Sequence, residues 1–110
     1  MNFLLNLPDV KNGEEVFETI ENTKSFVIER IVSNNAVSPA KGWHEQPTDE
    51  WVMVLQGSAT IETEQKTYEL HTGDTCFLKA MQKHKVIYTS AQPVCVWLAV
   101  HEKNEDVIGK

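Results

Sequence analysis

From residue 50 onward the chain breaks into short apolar runs punctuated by turn residues. Residues 51–55 are followed by Gln56-Gly57, residues 59–63 by Glu64-Gln65, and residues 67–70 by Thr72-Gly73-Asp74. Residues 75–78, 84–89 and 94–101 continue the series, divided by residues 79–83 and by Ser90-Ala91-Gln92-Pro93. Regular short runs with turn punctuation predict strands of an all-β sandwich or barrel. Neighbouring side chains of an extended chain point to opposite faces, which puts Glu50, Val52 and Val54 on one face and Trp51, Met53 and Leu55 on the other.

Upstream the pattern is less regular. Residues 1–8 are apolar at Phe3, Leu4, Leu5 and Leu7, which suits an arm packed on the domain or on a partner subunit. Asn12-Gly13-Glu14-Glu15 then precedes Val16, Phe17 and Ile20. An Asn cap with acidic residues in the first turn predicts one short helix of about two turns. Asn22-Thr23-Lys24 ends it, and residues 25–32, rich in Phe, Val and Ile, form the first expected barrel strand. A turn-rich loop over residues 33–41 leads to a short extended piece at residues 43–46. The expected strands then number eight, as a jelly roll needs. The expected division is residues 1–24 for arm and helix, 25–101 for the barrel and 102–110 for a polar tail.

Size and charge narrow the picture. The chain of 110 residues is expected to be one domain. Its net charge of −6 opposes nucleic acid and anionic membranes as partners. The longest apolar run, residues 94–100, is too short for a bilayer, and residues 1–10 lack the basic start and apolar middle of a signal peptide, so a cytoplasmic location is expected. Cys76 and Cys95, without Cys-x-x-Cys spacing, are expected as small buried residues rather than a disulfide or thiolate zinc site.

The candidate chemistry lies in two stretches. His44 and Gln46 share a face in an extended segment, and the Pro47-Thr48-Asp49 turn can bring Glu50 back beside them. His84 opens a later strand. Two imidazoles, a carboxylate and an amide suit a divalent metal such as zinc, iron, manganese, nickel or copper, with a hydrogen-bonded polar pocket as the alternative. Tyr88 shares strand parity with His84, making it the candidate proton-transfer or hydrogen-bonding group. His101 could face the cavity behind these residues or end its strand in water, while His71 beside a turn is expected in solvent. Trp43 and Trp51 fall on the face opposite the candidate ligands and are expected to pack.

The order His44-x-Gln46-x-x-x-Glu50, followed by Gly57, and then Gly73-Asp74 through to His84, resembles the two motifs of the cupin family. The resemblance spans residues 26–101 and implies a cupin-type jelly roll, or double-stranded β-helix. It also implies His44, Gln46, Glu50 and His84 as metal ligands, with Gln46 where a histidine is usual. Lys79 and Met81 replace the proline and glycine that precede His84 in the second motif. Two functions are expected from it. One is a metal-dependent enzyme, dioxygenase- or isomerase-like, on a small oxygenated metabolite; the other is a metal-free module that binds or senses a small molecule. Homodimers that pack sheet on sheet are common in that family, and the apolar arm with Trp51, Met53 and Leu55 leads to the expectation of a homodimer here.

Overall fold

The computed structural model describes residues 1–103. Eight strands run in chain order: β1 Glu15–Asn22, β2 Phe26–Ser33, β3 Glu50–Gln56, β4 Ala59–Thr63, β5 Thr67–Leu70, β6 Thr75–Leu78, β7 His84–Thr89 and β8 Cys95–Glu102. They form a five-stranded sheet, β1-β2-β8-β3-β6, facing a three-stranded sheet, β5-β4-β7, and the pairs are antiparallel. The expected polar tail lies, from residue 104 on, outside the described residues. Among the described residues no helix is long and apolar enough to cross a membrane.

The expected N-terminal helix is replaced by β1. Gly13 takes φ 87° and donates its N–H to the Asn34 carbonyl at 2.7 Å, so Asn12-Gly13 is a turn rather than a helix cap. Two helical turns have little stability of their own. Val16, Phe17, Thr19 and Ile20 are good strand formers, and β2, only a Thr23-centred turn away, supplies a ladder along the whole of β1. The short extended piece at residues 43–46 is held by one bridge, His44 to His84, with N–H···O distances of 2.8 and 3.0 Å. The expected count of eight is met because β1 takes the place of that piece.

Burial follows the pleat. Ile31, Val52, Val54, Cys76, Leu78, Cys95, Trp97 and Ala99 of the large sheet pack against Ala59, Ile61 and Leu70 of the small one. On the outer face of the large sheet, Val32 and Val96 pack with Val10 and Leu7, so the N-terminal arm folds back on its own domain. Arg30, 3% exposed, fixes the arm there. Its guanidinium pairs with Glu18 at 2.6 Å and donates to the carbonyls of Phe3, Leu5 and Asn6. The outcome is a barrel with a sealed apolar middle, whose polar inward residues gather toward one mouth.

Candidate functional site

Strand register places the polar groups. Glu50 in β3 stands directly opposite His101 in β8, and the inward parity of β2 puts Glu29 diagonally beside that imidazole. His101 Nε2 lies 2.7 Å from Glu29 Oε1 and 3.5 Å from Glu50 Oε2. Gln46 donates its amide N–H to Glu50 Oε1 at 3.0 Å. Glu50 is therefore a buried carboxylate, 8% exposed, with one oxygen hydrogen-bonded by Gln46 and the other facing the His101 imidazole at 3.5 Å, and such partners are what a carboxylate held out of bulk water needs.

The two remaining histidines enter from the small sheet's side. His84 pairs with Thr63 of β4 and is buried; its Nδ1 lies 3.1 Å from the Gln82 carbonyl, an acceptor only, so Nδ1 is the donor of that bond. His44 shares a 2.9 Å hydrogen bond between its Nε2 and Ser38 Oγ, and its ring centroid is 5.5 Å from that of His84. Burial pushes the His44 pKa below its ordinary value of 6.5, and nearby His84 adds to this against the pull of Glu50 and Glu15. The loop before His84 is tied to the first motif: Met81 N–H donates to the Gln46 carbonyl at 2.7 Å, and Ala80 N–H to Asp49 Oδ1 at 2.7 Å. Met81 keeps φ 65° at the position where the second motif has glycine.

These groups line one pocket of about 150 Å³, floored by Val52, Ile61, Val86 and Trp97. His44, Gln46, Glu50 and His84 all reach it. They do not, as they stand, make one coordination shell. Among the described residues no three His, Cys, Asp or Glu side chains are disposed to hold a metal ion. Ser38 engages His44 Nε2, and Gln46 turns its N–H donors, not its oxygen, toward Glu50.

Tyr88 lies elsewhere. A bulge in β7 pairs Val86 with Ile61 but Tyr88 with Thr60, skipping Ile87 and reversing the parity counted from His84. Tyr88 is 47% exposed on the outer side and is not part of the pocket. His71 is exposed, and Trp43 lies under the Lys85 ammonium at 4.4 Å from the ring centroid. Cys76 and Cys95 are buried and free; burial pushes the Cys95 thiol up to about 12. Two pocket groups, Glu15 and Ser38, and Glu29 behind His101 escaped the sequence reading. Glu15 was placed in a helix, and Ser38 belongs to an irregular loop. Glu29 was legible, since it alternates with Val27 and Ile31 and so shares their inward face.

Eight antiparallel strands in two facing sheets, with a polar mouth built from residues after β2 and at the start of β7, define a jelly-roll barrel. The family model described as a cupin domain matches residues 31–101, and the chain belongs to that family. A solved structure from Ralstonia eutropha JMP134, provisionally named a mannose-6-phosphate isomerase, is 38% identical over 94% of this chain and 96% of its own, with a TM-score of 0.85. A cupin superfamily protein from Desulfitobacterium hafniense DCB-2 shares the fold at 14% identity, covering 94% of this chain and 90% of its own with a TM-score of 0.74. KdgF from Halomonas sp. does so at 19% identity, covering 97% and 94%, with a TM-score of 0.72. No curated protein matches the chain at a significant level.

Proposed function

We propose that the barrel mouth binds a small sugar-like metabolite and that Glu50 moves a proton on it. The observation that carries this reading is Glu50 itself, a buried carboxylate bordered by Gln46 and His101 at the edge of a small cavity. An aldose–ketose interconversion takes a proton from the carbon beside the carbonyl and returns it to the carbonyl carbon. Meanwhile a proton passes from the neighbouring hydroxyl to the carbonyl oxygen, so the reaction needs no oxidant. In this reading Glu50 carries the carbon proton and Nε2 of His84 the oxygen one. The name carried by the 38%-identical Ralstonia protein supports an isomerase of this kind. Incubation with D-mannose or D-fructose in D₂O tests it. Deuterium is expected at the carbon beside the carbonyl, and Glu50→Gln is expected to stop its incorporation; absence of exchange in the unaltered protein rejects the reading.

A second reading is favoured by His84, whose Nδ1 bond to Gln82 is the arrangement that orients a metal-ligating imidazole. Here a divalent zinc, iron, manganese or nickel ion would sit on His44, Gln46, Glu50 and His84, after His44 leaves Ser38 and Gln46 turns its oxygen inward. Elemental analysis of protein purified without added metal decides: a stoichiometric ion that disappears in Glu50→Ala supports this reading against the first.

The same proposal includes pairing of two copies. Phe26, Trp51, Phe77 and Val100 line an outer groove of the large sheet beyond the arm, and Phe26 and Phe77 are 38% and 53% exposed. Light scattering is expected to give twice the chain mass of 12.5 kDa. A cytoplasmic location belongs to this reading as well, supported by two buried free thiols.

A further inference from the structure

The charges around the pocket say more about its ligand than the motif residues do. Glu15 lines it from β1, on the inward row with Ser33 and Cys95, at the far side from Glu50. Its Oε2 accepts from Ser33 Oγ at 3.1 Å, and Ser33 in turn accepts from Trp97 Nε1 at 3.2 Å. Ser33 is 1% exposed and Trp97 4%, so this relay is rigid and sets the carboxylate's orientation. Among the described residues no protein donor engages Oε1 of Glu15.

Among the described residues no Lys or Arg lines the pocket. Lys85, on the strand that carries His84, is engaged by Trp43 and Glu62, and Arg30 by Glu18 and the arm on the opposite face of the sheet. Glu29 adds a third carboxylate behind His101. The site therefore offers carboxylate acceptors for hydroxyl groups and, among the described residues, no Lys or Arg with which to neutralise a phosphate or carboxylate. Charges of like sign brought within several ångströms in a partly buried site repel by far more than in water.

We propose that Glu15 is a specificity residue which, with Glu50, restricts the pocket to uncharged, hydroxyl-rich ligands and excludes phosphorylated or carboxylated ones. The proposal rests on the sugar reading above but departs from the phosphorylated sugar in the Ralstonia protein's name. A hydroxyl of the ligand donates to Oε1 of Glu15 while the Ser33–Trp97 relay holds Oε2.

The Trp97 indole N–H, being part of that relay, reports on Glu15. Two-dimensional NMR of the whole chain resolves the indole signals of its 3 tryptophans, and each sugar is titrated while they are followed. D-mannose is expected to shift the Trp97 signal with an affinity at least tenfold higher than D-mannose 6-phosphate. Glu15→Gln, checked for unchanged signal dispersion, is expected to bring the two within about threefold, since removing one negative charge at this range is worth about a tenfold factor or more. Phosphate-sugar binding to the unaltered protein as tight as that of mannose overturns the proposal while leaving the sugar reading intact. If neither sugar moves the pocket signals, the sugar reading fails, and inorganic phosphate then decides the charge claim by itself. Phosphate binding in Glu15→Lys but not in the unaltered chain supports the claim; binding to the unaltered chain's pocket overturns it.

Discussion

Arg30 is the side chain whose removal should cost the fold most without touching the pocket. Arg30→Met keeps the aliphatic stem and deletes the guanidinium, along with two bonds to Glu18 at 2.6 and 3.1 Å and a bond of 2.9 Å to the Leu5 carbonyl. Bonds to the Phe3 and Asn6 carbonyls, both 3.3 Å, go as well. Charge-assisted hydrogen bonds contribute about 1.5–3 kcal/mol each when buried. Glu18 is 33% exposed and regains water once its partner is gone, so its share is discounted to about 1 kcal/mol or less. The arm carbonyls can also turn to water if the arm lifts, which caps the rest near the docking energy of Leu7 and its neighbours. The sum is about 2–3 kcal/mol. With an unfolding entropy of about 2.1 cal/mol/K per residue, this lowers Tm by roughly 10 °C. Calorimetry measures the shift, and limited proteolysis at residues 1–7 should cut the variant faster. A Tm within about 3 °C of the unaltered protein, with the arm equally protected, refutes the arm-latch argument.

Three further outcomes follow from the same geometry. Met81→Gly should raise Tm by a few degrees, because a non-glycine residue at φ 65° costs about 1–2 kcal/mol while glycine's extra freedom in the unfolded chain returns part of it; a lower Tm contradicts this. Arg30's hydrogen bond holds the Glu18 pKa below its ordinary 4.5, so the unfolded chain takes up that proton first. The stabilisation is therefore complete above about pH 4.5 and lost as pH falls below it, and Glu18→Gln should flatten the pH dependence of denaturant midpoints in that range. Burial raises both thiols, Cys95 to about 12, so a thiol reagent at pH 8 should label neither until denaturant is added; rapid labelling of the native protein contradicts their burial.

The barrel was legible wherever turns divided the chain into short runs. Residues 59–63, 67–70, 75–78 and 84–89 were expected as strands and are β4 to β7 with the same bounds. What sequence could not weigh was competition. The Asn12-Gly13-Glu14-Glu15 signal reads as a helix cap until β2 is present to pair with the segment, and that error hid Glu15 from the pocket. Tyr88 was misplaced because parity counting assumes a regular strand, and nothing in residues 84–89 marks the bulge at Ile87. The convergence of His44, Gln46, Glu50 and His84 on one pocket could be foreseen from motif spacing. Their hydrogen bonds to Ser38, Gln82 and one another, and the Glu50 contact with His101, depend on three-dimensional neighbours that spacing does not encode.

The central claim, that the mouth around Glu50 is a binding site for a small sugar-like metabolite, is tested most directly by mapping D-mannose onto the backbone and indole NMR signals of the chain. Saturable shifts are expected at His44, Gln46, Glu50, His84 and Trp97, with the outer groove of Phe26, Trp51 and Phe77 unmoved. Shifts confined to that groove, or no saturable shift at the mouth in either D-mannose or D-fructose, would contradict the account.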